Sequence, residues 1–221
     1  MRRLLIPLFI LAAAGLTFSI AGLLRTMNRR ENPPTVIQPD LASIGLKVPE
    51  FRLTDQSNTP QTQSLFDGHI TVLDFFFTHC PFICPMMTLT MEDVAKELKD
   101  SPVRFVSISV DPSHDTPARL TEYATDKEID LSRWTFLTGD YAVIERIAMN
   151  SLGFAIGSDP NPKKTITLPE GGTMPNLIHP SKLLLIGPNR EVLGFFEYSD
   201  PEAMQALIAK ARAAARPPGT N

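Results

Sequence analysis

The sequence predicts an α/β domain in which helices flank a central mixed sheet, and three observations lead there. The nearly continuous apolar run from Ile70 to Phe77 reads as a buried strand, because it lacks the spacing of an amphipathic helix and ends at a Cys-Pro break. A second strand covers Val103 to Val110, and between the two Met87, Met91, Val94, Ala95 and Leu98 form one apolar helical face. Strand, helix and strand in that order make a βαβ unit with parallel strands, and a β-hairpin with a final helix closes the chain.

Each element has its own local signal. Proline disfavours helical geometry in the residue before it and suits the first helical position, so Pro85 predicts a helix over about Pro85 to Leu98 with Cys84 near its N-cap. Asp111-Pro112 ends the Val103 strand, and Thr116-Pro117 opens a helix to about Lys127 with Thr116 as the cap. Trp134 to Leu137 is a short strand and Tyr141 to Asn150 a helix. Phe154 to Ile178, with four prolines and three glycines, reads as a long loop with room for a short hairpin. Loops of that length inside a compact domain often carry function. Lys182 to Ile186, the turn Gly187-Pro188-Asn189-Arg190 and Glu191 to Phe196 give a hairpin, and Pro201 to about Ala214 the last helix. This is the thioredoxin-like order.

The chain of 221 residues has only two cysteines, Cys80 and Cys84, three residues apart in Thr78-His79-Cys80-Pro81-Phe82-Ile83-Cys84-Pro85. They follow the first strand of the βαβ unit, where a thioredoxin-like fold carries its reactive pair. A disulfide closing so short a loop constrains little of the unfolded chain, which leaves redox chemistry or metal capture as their use. A helix N-terminus stabilises a thiolate, so a depressed pKa is expected for Cys84. Two thiolates do not complete a metal site, and four histidines are available. His69 and His114 read as exposed loop residues. His79 adjoins Cys80, but neighbouring side chains in an extended segment point to opposite sides, which places it beside the site rather than in it. His179, at the end of the long loop and just before the Lys182 strand, is the candidate third donor. Taken alone, a single histidine is more often solvated than ligating. Met86, Met87 and Met174 are possible thioether donors that read more simply as packing residues. Asp111 and Asp115 read as caps, and Asp74 as a buried acid facing the site or bonded to backbone.

The termini speak to compartment. Arg2 and Arg3 precede the uncharged stretch Leu4 to Leu24, whose 21 residues reach roughly 32 Å as a helix, enough to cross a bilayer. Residues 1–30 are therefore read as an N-terminal membrane anchor, its length favouring a transmembrane helix over a cleaved signal. Residues 31–45 form a linker, 46–205 the folded domain, and 206–221 the end of the last helix and a flexible tail. Arg25, Arg29 and Arg30 after the span offset the arginines before it, so charge does not set topology. Cysteine usage instead places the soluble domain outside the cytoplasm, on the periplasmic side of a bacterial inner membrane or in the mitochondrial intermembrane space. Residues 31–221 carry 16 basic and 24 acidic residues, a net charge of −8, which argues against nucleic acid as a partner. Gly171-Gly172 lacks the Lys-Ser/Thr and helix of a phosphate loop.

Thr78-His79-Cys80-Pro81-x-x-Cys84-Pro85 after an apolar strand, Val110-Asp111-Pro112-x-x-Asp115-Thr116-Pro117, and a histidine 95 residues beyond Cys84 together resemble the Sco/SenC copper-chaperone family over roughly residues 45–200. The resemblance implies a thioredoxin-like domain that binds one copper ion, Cu(I) or Cu(II), through Cys80, Cys84 and His179. It implies a metallochaperone that assists assembly of the dinuclear copper centre of cytochrome c oxidase, with the copper-receiving oxidase subunit and other copper chaperones as partners. It also implies thiol-disulfide reductase activity through Cys80 and Cys84, and an oxidoreductase that stores no metal is the alternative reading. Family members commonly carry aspartate before this histidine and serine after it; here the neighbours are Ile178 and Pro180. Two thiolates and an imidazole suit copper on softness alone, whereas structural zinc nearly always takes four donors.

Overall fold

The computed structural model describes residues 45–81, 83–169 and 171–216. The Leu4–Leu24 span and all but the last residue of the 31–45 linker lie outside them. Among the described residues no helix is long and apolar enough to cross a membrane.

Seven strands form one sheet in the order β11-β10-β3-β4-β5-β1-β2. Its centre is β3 (Thr71–Phe76), β4 (Arg104–Ser109) and β5 (Trp134–Thr138), all parallel, with Asp74 opposite Ser107 and Phe76 opposite Ser109. Helix α1 (Ile83–Glu97) links β3 to β4, and α2 (Pro117–Asp126) links β4 to β5. Every residue of β3 is buried, as expected of a parallel strand covered on both faces. The hairpin β10 (Lys182–Ile186) and β11 (Val192–Glu197) lies on one side, with β10 antiparallel to β3, and α4 (Pro201–Ala214) packs on β11.

Two strands on the other side carry no strong sequence signal. They are β1 (Arg52–Asp55), antiparallel to β5, and β2 (Pro60–Thr62), antiparallel to β1. In β1 only Leu53 and Asp55 are buried. Asp55 ties the β1–β2 turn by accepting from the backbone N–H of Ser57 (2.8 Å) and Thr59 (2.9 Å), so turn chemistry rather than an apolar run makes this pair.

The expected helix at Tyr141 to Asn150 is α-helical only as α3 (Tyr141–Glu145), then widens into a π-turn over Arg146–Ser151. The long loop holds more order than expected. A hairpin joins β7 (Thr165–Thr167) to β8 (Thr173–Pro175), and β6 (Gly157–Ser158) pairs with β9 (Leu177–Ile178).

An aromatic cluster occupies the core beneath α2. Phe76 stands 5.4 Å from Phe136 and 5.6 Å from Tyr123 between ring centres, and Trp134 stacks on Phe136 at 5.6 Å. Tyr123 buries its hydroxyl against Thr88 of α1 at 2.9 Å, which satisfies both polar groups away from water. Replacing Phe76 with alanine would leave a cavity at the centre of this cluster. Phe76→Ala is expected to lower unfolding free energy by about 3–5 kcal/mol, read from the shift of a urea transition.

Candidate metal centre

The cysteine loop leaves the C-terminal end of β3, and the loop from Asp111 to Thr116 leaves the same end of its parallel neighbour β4. Because β10 runs antiparallel to β3, with Leu184 opposite Leu73 and Ile186 opposite Thr71, it begins at that end too. His179 sits between β9 and β10 and is held from both sides. Its Nε2 lies 3.2 Å from Cys84 Sγ and 4.0 Å from Cys80 Sγ, and the three donor atoms all fall within 4.8 Å of one another. No disulfide joins the two cysteines.

The imidazole is oriented by its surroundings. His179 Nδ1–H donates to the carbonyl of Pro180 at 3.2 Å, which leaves the Nε2 lone pair facing the sulfurs, and Phe77 packs edge to face on the ring at 5.6 Å. A backbone carbonyl therefore performs the orienting that a neighbouring carboxylate would give, while Ile178 is exposed and paired through β9 with Gly157.

The two thiols differ. The helix begins two residues earlier than expected, and the backbone N–H of Cys84 donates to Cys80 Sγ at 3.3 Å, so Cys80 receives the helix-terminal amide. Cys84 is 1% exposed and Cys80 9%. The depressed pKa expected for Cys84 is overturned: burial pushes its thiol well above the usual range, with Cys80 and the Asp74 charge adding to the rise.

Asp115 does not cap α2. Thr116 does that, accepting from Arg119 N–H at 3.3 Å. Asp115 is instead buried and grips the cysteine loop, accepting from the Thr78 hydroxyl (2.5 Å), the Thr78 backbone N–H (3.1 Å) and the Ser109 hydroxyl (2.5 Å). Arg119 Nε–H donates to the same Thr78 hydroxyl at 3.2 Å. The contact spans 37 residues and escaped sequence reasoning, because nothing local to Asp115 points at Thr78. Asp111 holds His114, so His114 is partly buried and engaged rather than a free loop residue, and His69 is also partly covered. Met87 and Met174 are core residues as expected, whereas Met86 is exposed.

Asp74 is a buried acid facing the site, its charge felt by both Cys84 and His179, with Oδ1 unpartnered among the described residues. Burial raises its pKa to about 6, against the opposing influence of a Ser107 hydrogen bond and the His179 charge. A carboxyl whose folded-state pKa exceeds its unfolded value favours folding fully below the unfolded value and loses that contribution as pH rises through the folded one. From pH 4 to 6 stability is expected to fall by an amount on the order of 2–3 kcal/mol attributable to Asp74. Asp74→Asn should flatten that part of the profile in denaturant melts across pH.

A thioredoxin-like sheet with two thiols and one imidazole converging at its C-terminal edge defines a thiol domain able to hold one soft metal ion. Residues 42–215 match the SCO1/SenC family, and the chain belongs to it. It is 33% identical over 153 residues to the SCO1 protein homolog of Bacillus subtilis (strain 168), covering 68% of this chain and 73% of that one. BsSco, a member of the Sco family of cytochrome c oxidase assembly proteins described with a disulfide switch, superposes with a TM-score of 0.61 at 31% identity, over 77% of this chain and 94% of its own. Bradyrhizobium japonicum ScoI with copper bound gives a TM-score of 0.58 at 25% identity, over 73% and 97% respectively.

Proposed function

We propose that this chain is a copper metallochaperone that takes one copper ion as cargo on Cys80 Sγ, Cys84 Sγ and His179 Nε2. The observation that carries the reading is the convergence of those three atoms within 4.8 Å, from loops 95 residues apart. The separations suit the ion, since bonds of about 2.0–2.3 Å in a three-coordinate centre hold donor atoms about 3.5–4 Å apart. No fourth His, Cys, Asp or Glu joins the cluster among the described residues, which favours copper over structural zinc. A copper-bound structural relative and a family of cytochrome c oxidase assembly proteins support delivery to the copper-receiving subunit of that oxidase, with exchange from other copper chaperones. In this reading residues 1–30 anchor the chain, 31–45 tether it, 46–205 carry the site outside the cytoplasm, and 206–221 complete the last helix and the tail.

Anaerobic loading of the full chain is expected to give one copper per chain by metal analysis. His179→Ala should lower affinity, and Cys80→Ser or Cys84→Ser should abolish tight binding; a stoichiometry near zero, or one indifferent to His179, overturns the proposal. Asp115→Ala removes the grip on Thr78 and is expected to weaken copper binding by about 10–100-fold, the usual cost of losing a partner that orients a ligand loop. A competition titration with a chromophoric Cu(I) chelator reads it.

The proximity of two reduced thiols also favours a second reading, a thiol-disulfide oxidoreductase working through Cys80 and Cys84. Weak copper binding together with disulfide reduction unaltered in His179→Ala would select it.

A further inference from the structure

The three-donor centre leaves His79 and His114 unused, although the fold brings them together. One follows β3 and the other β4, and because those strands are parallel neighbours the two loops meet at one end of the sheet. The rings lie 5.6 Å apart between centres, at 77° to each other. An ion about 2 Å from each imidazole nitrogen sits about 3 Å from each ring centre, so two rings sharing one ion stand about 5–6 Å apart. The observed separation falls in that range.

The nitrogens are also prepared. Asp111, whose side chain is 5% exposed, accepts from His114 Nδ1–H at 2.8 Å and from the Ser113 hydroxyl at 2.6 Å. A carboxylate behind one ring nitrogen sets the tautomer and raises the basicity of the other, the arrangement found behind metal-binding histidines. His114 is 31% exposed, and its Nε2 has no hydrogen-bond partner among the described residues. His79 Nδ1 lies 3.4 Å from the Thr78 hydroxyl oxygen, so Nε2 is its open nitrogen as well. Packing alone would not call for a buried carboxylate behind a partly exposed imidazole that stands beside a second one.

We infer that His79 Nε2 and His114 Nε2 form a second metal site, separate from the thiols, that takes a borderline divalent ion, Cu(II) foremost. Imidazole donors with water suit Cu(II), which heads the divalent affinity order, whereas Cu(I) prefers the thiolates. The site stands whether or not the three-donor centre holds copper.

The test is therefore made on the full chain carrying C80S and C84S, with C80S and C84A as a second background in case serine is poorly accommodated at the buried position. Circular dichroism and the thermal midpoint check that each is folded. Titration with aqueous Cu(II), followed by electron paramagnetic resonance, is expected to show one bound ion coupled to two nitrogens. Adding His79→Ala or His114→Ala separately should each remove one nitrogen coupling and weaken binding by at least the 10–100-fold that loss of an outer-shell partner costs. His69→Ala should change neither. No bound Cu(II) in either folded background, binding unaffected by both histidine substitutions, or binding lost with only one of them would each overturn the proposal.

Discussion

The antiparallel pairing of β10 against β3 is the constraint on which the site rests. A thiol pair after the first strand of a βαβ unit is local chemistry, made by a strand end and a helix start. The third donor is not local. It arrives because β10 starts where β3 stops, so a histidine just before β10 is delivered to the cysteine loop by the same register that buries Leu184 beside Leu73. The energy that holds His179 in place therefore comes from sheet hydrogen bonds and core packing, with a short ladder at β9 and the Pro180 carbonyl setting the ring angle.

The Asp115 carboxylate performs a comparable service for the thiol side. A buried carboxylate with two hydroxyl donors and a backbone N–H is satisfied only when the cysteine loop and the loop after β4 stand at their observed separation. Breaking that arrangement would leave an acid without donors in a dry environment, which makes the loop position strongly preferred. Burial raises the pKa of Asp115 as well, with the Ser109 and Thr78 hydrogen bonds opposing it, and at Asp74 and Cys84 poor solvation likewise favours the protonated forms.

Much of this was legible in the sequence because it rests on short-range signals. The runs at Ile70 and Val103, the Thr116-Pro117 cap and the Gly187 turn gave strands and helices within one or two residues of those observed. Cys80 and Cys84 stood out by rarity and spacing. His179 emerged through its place before the Lys182 strand and the family motif, since a single histidine has no periodic signature. What stayed hidden depends on tertiary neighbours. The strands β1 and β2 are short and half exposed, so they lack the apolar pattern that reveals a buried strand. The roles of Asp115 and His114 are visible only once two loops far apart in the chain stand side by side. The protonation of Cys84 was misjudged because helix position can be read from Pro85, while the depth of cover over a side chain cannot.

The unequal cover over the two sulfurs sets an order of approach. Of the two sulfurs, a visiting thiol, chelator or oxidant meets that of Cys80 first, since Cys84 is almost fully covered. If the centre carries a metal ion as proposed, exchange with another molecule would reach Cys84 last, because the His179 ring is only partly covered and Cys80 lies nearer the surface.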